Sequence, residues 1–366
     1  MALKCGIIGI TNTGKTTLFN CISKTKAQAS NFAFSTSKSN IGMCDVPDMR
    51  LFELEKFQKT EKTIPASVEI VDIPGLAKGA SQGEGIGNKF LADIRQTDAI
   101  IHLLRCFDDQ NLAHVEGSIN PVRDKEIVDL ELQIKDLESV EKKLQKTEKL
   151  ARVGGDKEAK KAFEILNIYK QHLENFKPAR TVPVDEDDKR HVADLFLLTE
   201  KPVLYVCNVD EKSAVKGNHY VEKFKESVKD ENCEIIIIAG KMEAEISELD
   251  NEEDRLVFLN DIGLDEPAVN VLIRAAYKLL NLQSFFTVGP KENKAWTIRK
   301  GMTAPQAAGV IHSDLERGFI RAEVMKYNDF IKYGSEHACK EAGKFYIEGK
   351  NYVVDDGDIL HIRFNV

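Results

Sequence analysis

The sequence predicts an α/β fold with a mostly parallel sheet, interrupted by a helical hairpin and followed by a smaller α+β unit. Three observations carry that prediction. Apolar runs of strand length alternate with helical stretches in the first part of the chain, beginning with Leu3, Cys5, Ile7 and Ile8 ahead of a helix over Thr17 to Ser23. Between about Lys125 and Thr199 the strand alternation vanishes and apolar stripes of helical period replace it. From residue 281 onward short strands and a helix return in mixed order. A length of 366 residues suits two or three domains, and 42% apolar content is ample for their cores.

The first strand leads into Gly9-Ile10-Thr11-Asn12-Thr13-Gly14-Lys15-Thr16, followed by Thr17. This is the spacing of a phosphate-binding P-loop. Small residues let the backbone N–H groups from Asn12, Thr13 and Gly14 through Thr17 converge on phosphate oxygens at a helix N-terminus. Lys15 neutralises phosphate charge, and Thr16 offers a hydroxyl to Mg²⁺. The run Val68 to Asp72 reads as a buried strand ending in Asp72-Ile73-Pro74-Gly75. A carboxylate at that strand end reaches the Mg²⁺ shell, and Gly75 allows its N–H to approach the γ-phosphate. Thr36, in the loop Phe34 to Ser37, is a third candidate Mg²⁺ ligand, contacting the ion only while the γ-phosphate is present. Leu76 stands where Ras-type GTPases place a water-orienting glutamine, so hydrolysis is slow or recruits another polar group. The glycine-rich stretch Gly75 to Asn88 reads as a switch loop that is costly to order.

Base recognition falls to Asn208-Val209-Asp210-Glu211 after the strand Val203 to Cys207. Guanine readers carry Asn-Lys-x-Asp there. Val209 replaces the lysine stem and Glu211 the aspartate, which argues for ATP, or for both purines. Ala239-Gly240-Lys241 follows the next strand as the second base-contacting loop; Gly240 stands where alanine is usual, and the sequence offers no reason.

In the interruption, Ile127, Leu130, Ile134, Leu137 and Leu144 make one stripe and Ala162, Ile165, Leu166, Tyr169 and Leu173 a second, with Gly154-Gly155 between them. An antiparallel helical hairpin is the economical reading. Near its tip Lys142, Lys143, Lys146, Lys149, Arg152, Lys157, Lys160 and Lys161 face only Glu148, Asp156 and Glu158. Such a cluster either binds RNA phosphate or is a solvated face of i,i+4 pairs. The whole chain carries a net charge of −8, so nucleic-acid binding would need that local patch. Seven cysteines without C-x-x-C spacing fit a reducing cytoplasm and exclude an obvious zinc site. No secretory signal or apolar stretch of membrane-spanning length is visible. Asp355-Asp356-Gly357-Asp358 reads as a tight hairpin, and Trp296 as packed.

The segments GITNTGKTTLFN, DIPGLAKGASQGEGIGNKFLADIRQTDAI, RCFDD, NVDE and the C-terminal region resemble the YchF/Obg-like ATPase family over essentially the full length. The stretch KGMTAPQAAGVIHSDLERGFIRAEV with DDGDILHIRFNV is similar to a TGS domain, a ubiquitin-like β-grasp module. The resemblance implies a P-loop nucleotidase (OBG-type G) domain over residues 1–124 and 200–280, an inserted coiled-coil hairpin over 125–199 and a TGS domain over 281–366. It implies Mg²⁺-dependent hydrolysis of ATP, with GTP also admissible, by a cytoplasmic, nucleotide-switched regulator of translation or stress. The implied partner is the ribosome, through its large subunit or the 70S particle, with RNA contacts at the hairpin tip and the TGS domain. It further implies that His114 replaces the missing glutamine and that Asn12 helps hold an activating K⁺. On their own chemistry, His114 is equally a solvated loop residue and Asn12 a good turn residue. A GTP-specific switch and a binding scaffold with vestigial hydrolysis stand as alternatives.

Overall fold

The apolar runs become strands of two six-stranded sheets in the computed structural model, which describes residues 3–24, 40–57, 59–75, 86–153, 156–249 and 251–365. In chain order the elements are β1 (Lys4–Ile8), α1 (Lys15–Lys24), β2 (Asn40–Asp45), α2 (Met49–Glu55), β3 (Thr63–Ile64), β4 (Ser67–Asp72), α3 (Ile86–Arg95), β5 (Ala99–Arg105), α4 (Pro121–Val153) and α5 (Lys157–Glu174). There follow β6 (Val203–Asn208), α6 (His219–Ser227), β7 (Glu234–Ile238), α7 (Gly240–Glu248), α8 (Glu252–Ile262), α9 (Ala268–Leu279), β8 (Leu282–Thr287) and β9 (Asn293–Arg299). The chain closes with α10 (Ala304–Ile311), α11 (Ser313–Arg317), β10 (Phe319–Lys326), α12 (Tyr327–Tyr333), α13 (Glu336–Glu341), β11 (Tyr346–Glu348) and β12 (Asp358–Phe364). Two compact units result: residues 1–42 with 69–272, and residues 43–68 with 273–366.

The first unit is built on the sheet β2-β4-β1-β5-β6-β7, with β4, β1, β5, β6 and β7 parallel. A parallel sheet is covered on both faces, so its central strands read as continuous apolar runs rather than alternating ones. In β5 all seven residues are buried, His102 and Arg105 included. One core packs Ile8 and Ile73 with Phe90 and Ile94 of α3 and Val128 and Leu132 of α4. The other packs Tyr205 and Cys207 with Phe224 of α6 and Met242 of α7.

Helices α4 and α5 pack around Val140, Ile165, Leu166, Tyr169 and Leu173. The stripe expected on α5 is the buried one except that Ala159 replaces Ala162. On α4 it is so only in part: Leu137 and Leu144 pack against that core, but Leu130 is 40% exposed, while Val128, Leu132 and Val140 are buried together with the polar Asp124 and Asp136. The buried carboxylate of Asp136 explains the difference. It accepts from Leu198 N at 2.7 Å, Thr199 N at 2.8 Å and the Thr199 hydroxyl at 2.6 Å, tying α4 to the turn Leu198–Glu200. At the basic tip Lys161 pairs with Asp188 at 2.9 Å, Arg152 with Glu148 at 2.5 Å, and Lys143 with Asp194.

The second unit carries the sheet β11-β10-β12-β8-β9-β3. Antiparallel pairs β8·β9 and β10·β12 flank the parallel pair β8·β12, and α10 covers a core of Phe285, Ile298, Ala307, Phe319, Val324 and Leu360. Residues 43–68 belong to this unit because β3 pairs with β9 (Thr63 with Asn293) and Arg50 grips Asp356 at 2.8 Å. Trp296 packs at the edge of the core, its Nε1–H donating to the Thr287 hydroxyl at 2.9 Å. The Asp355–Asp358 segment is a turn with Gly357 at φ +87°, closed by Asp358 N–H on Asp355 O at 3.2 Å. It feeds β12 and is no two-strand hairpin, since β11 and β12 each pair with β10.

Candidate nucleotide-binding site

The loop after β1 is shaped by contacts that only small residues allow. Gly9 has φ +152°, and a Cβ there would lie 2.4 Å from Leu103 O; Gly14 has φ +96°, and its Cβ would lie 2.5 Å from Asn208 Nδ2. Asn12 sits in the left-handed region at φ +62°, which asparagine tolerates better than most residues. Thr13 is buried and donates its hydroxyl to Ile10 O at 3.1 Å, so its side chain is internal to the loop. The turn ends where Leu18 N–H meets Gly14 O at 3.0 Å and α1 begins.

Lys15 is nearly buried and folds back over the loop, donating to Ile10 O at 2.6 Å and Gly9 O at 3.1 Å. Burial lowers its pKa to about 8, against an opposing pull from Asp72. Asp72, at the end of β4, is pushed above the usual carboxylate range by burial, partly offset by Lys15 and by a hydrogen bond from Thr16. Gly75 comes so close that a Cβ would meet Lys15 Nζ at 3.0 Å and the Thr11 side chain at 3.1 Å. Lysine, hydroxyl, carboxylate and glycine thus form one cluster.

A cavity of about 1080 Å³ opens over this cluster. It brings together Asn12, Gly14, Lys15, Thr16, Thr17, Asp72, Gly75, Asn208, Val209, Glu211 and Gly240, as the sequence predicts, along with Phe107, Asp108, Asp109 and Leu112. Thr13, Ala239 and His114 are not on its wall. Ala239 is buried and gives its carbonyl to Glu243 N–H at 2.9 Å. Thr36 and residues 76–85 of the glycine-rich stretch lie outside the described residues.

Asn208 braces the site. Its Nδ2 donates to Thr13 O at 2.8 Å, and its Oδ1 accepts from Gly240 N–H at 2.9 Å. A Cβ at Gly240 would lie 3.1 Å from that same Oδ1, a tight contact that an alanine there would need the Asn208 side chain to yield to by a few tenths of an ångström. Asp210 caps Ser213 N–H at 3.0 Å while staying exposed on the cavity wall, and Glu211 lies beside it, half exposed and 3.9 Å from Lys241.

Two residues that sequence reasoning missed organise the loop after β5. Arg105 is buried and donates to Leu112 O at 2.9 Å, Phe107 O at 3.2 Å and Asp109 O at 3.3 Å, stacking on Phe107. An arginine closing a strand that is apolar but for His102 was the available signal. Asp124, in the first turn of α4, takes His114 Nε2 at 2.9 Å; both side chains are almost fully buried. His114 Nδ1 accepts from Glu116 N–H at 3.1 Å, and Asn12 Nδ2 donates to the neighbouring Ala113 O at 3.0 Å.

A family profile described as a 50S ribosome-binding GTPase matches residues 4–167, and one named YchF-GTPase_C, a protein of unknown function, matches residues 282–365. The chain is 48% identical over 368 residues to a protein of Bacillus subtilis named ribosome-binding ATPase YchF, covering 100% of both chains. It is 44% identical to Obg-like ATPase 1 of Pongo abelii, covering 100% of this chain and 93% of that one. A solved structure titled as the Schizosaccharomyces pombe YchF GTPase matches with a TM-score of 0.88 and 36% identity, over 99% of this chain and 97% of that chain. Likeness of this degree from end to end, in sequence and in fold, places the chain in the YchF family of P-loop nucleotide hydrolases.

Proposed function

We propose that the chain hydrolyses ATP with Mg²⁺, also accepts GTP, and acts as a nucleotide-switched, ribosome-bound regulator of translation or stress in the cytoplasm. The observation that carries this reading is the cluster of Lys15, Thr16, Asp72 and Gly75 in one cavity whose base-reading tetrad ends in Glu211. The relatives' names support ATP and the ribosome.

Lys15 already spans two loop carbonyls, so a phosphate oxygen takes over a pre-positioned ammonium. The Thr16 hydroxyl and the Asp72 carboxylate, hydrogen-bonded to each other, are hard oxygen donors of the kind Mg²⁺ takes, and Thr36 is assigned to the same ion. When bound, Mg²⁺ neutralises charge on the transferring phosphoryl group. The missing side chain at Gly75 lets this backbone lie close to Lys15, and its N–H is assigned to the γ-phosphate. A K⁺ at Asn12 would take its Oδ1, the one acceptor of that amide, whose orientation is fixed by the Nδ2 bond to Ala113 O. We assign water positioning to His114, which must first leave the bonds described above. RNA contact is assigned to the hairpin tip within residues 125–199 and to the TGS region 281–366, and the large subunit or 70S particle is the proposed partner.

A GTP switch is the second reading, favoured by the Glu211 carboxylate, which remains an acceptor for purine N–H groups. Dissociation constants for ATP and GTP decide between them; GTP binding at least tenfold tighter, about 1.4 kcal/mol, would overturn the ATP reading. Co-sedimentation with ribosomes under ATP, ADP and no nucleotide tests the switch: equal binding in all three states rules it out. Turnover unchanged both by ribosomes and by His114→Ala would favour a scaffold with vestigial hydrolysis.

A further inference from the structure

We propose that Asp124 is a positioning residue that latches His114 away from the nucleotide cavity. The proposal rests on the assignment of His114 to water positioning made above. Both ring nitrogens of His114 are spent in this state. Nδ1 accepts the Glu116 N–H at 3.1 Å, so the ring proton resides on Nε2, which donates to Asp124 Oδ2 at 2.9 Å. Neither nitrogen has a lone pair or a hydrogen left for a water.

The latch is built on both sides of the carboxylate. Arg123 holds the second oxygen of Asp124 at 3.0 Å through Nη2 and 3.3 Å through Nε, and the same guanidinium donates to Ser118 O at 2.6 Å and the Ser118 hydroxyl at 3.0 Å. The side chains of His114 and Asp124 are 4% and 1% exposed, so water does not compete for their bond. The loop is closed from within by Gly117 N–H on His114 O at 3.0 Å. Besides Arg105, which holds Leu112 O, the loop is tied by Asn12, a cavity residue whose amide holds Ala113 O, so the phosphate loop grips the residue next to His114 directly. Asp124 therefore sets how readily the ring is released, and Asn12 connects that release to the phosphate loop.

Steady-state kcat and KM for ATP, with thermal unfolding midpoints, test this in wild type, Asp124→Asn, Asp124→Ser, His114→Ala and the Asp124→Asn/His114→Ala double variant. A hydrogen bond to a charged acceptor is worth enough that weakening it should raise kcat about three- to tenfold with KM unchanged. The double variant should fall to the level of His114→Ala. If Asp124→Asn does not fold, Asp124→Ser carries the same expectation. A fall in kcat for Asp124→Asn that matches His114→Ala would make Asp124 an orienter of the active ring and overturn the latch. Unchanged kcat in Asp124→Asn alongside a loss in His114→Ala overturns the latch alone. Unchanged kcat in both retires the latch together with the assignment of His114.

Discussion

Lys15 makes the residue scale measurable. Its folded pKa, lowered to about 8 by burial, lies below the ordinary lysine value of 10.5. The folded chain therefore binds fewer protons than the unfolded chain between these values, and stability contributed by this site rises with pH across that window. Phosphate reverses the shift, so nucleotide binding near pH 8 should take up on the order of half a proton and weaken as the pH rises further. Calorimetry of ATP binding at pH 8 in two buffers of different ionisation enthalpy checks this; identical apparent enthalpies would contradict it. Residue identity and spacing made Lys15, Thr16, Asp72 and Gly75 legible in the sequence, because phosphate chemistry demands those groups at those intervals. His114 to Asp124 and Arg105 to the Leu112 carbonyl were not legible. They are contacts between loop and helix, or loop and strand, whose partners no spacing rule specifies.

At the scale of elements, α4 shows how a buried polar group hides a pattern. Asp136 occupies a core position, so a search for apolar residues alone slides the stripe onto the exposed Leu130. By contrast the apolar run Val68 to Asp72 read as a strand, and β4 spans Ser67–Asp72 with Val68, Ile70 and Val71 buried. Asp136→Ala should destabilise the first unit by about 3 kcal/mol, since it leaves the Leu198 and Thr199 donors buried and unpaired. Urea unfolding measures it, and a change under about 0.5 kcal/mol, the usual range for surface substitutions, would show that the turn Leu198–Glu200 is held by other means. At the tip, Lys142, Lys146 and Lys149 are the residues to reverse, because Lys143 is already engaged by Asp194 and His191 O. Changing those three to Glu should weaken ribosome association and flatten its dependence on salt. Sedimentation across a salt series reads both, and an unaltered slope would remove the hairpin from the interface.

For the whole molecule, the second unit is discontinuous in sequence. The C-terminal α+β region was legible as such, but the membership of residues 43–68 was not, because β3 is only two residues long and its pairing with β9 is remote. The fragment 281–366 alone lacks that strand, the Arg50 grip on Asp356 and the guanidinium 5.3 Å over Phe286. It should melt at a lower temperature than a single chain joining 43–68 to 273–366; coincident circular-dichroism transitions would refute this. The same discontinuity bears on biosynthesis. Thr63 and Ile64 emerge long before Asn293 and Lys294, and at ~5–20 residues per second the interval is on the order of ten to fifty seconds. During that wait Leu51 and Leu54, fully buried once folding is complete, have no sheet to rest on. A nascent chain of this protein thus carries an apolar early segment without its sheet until β9 has been synthesised.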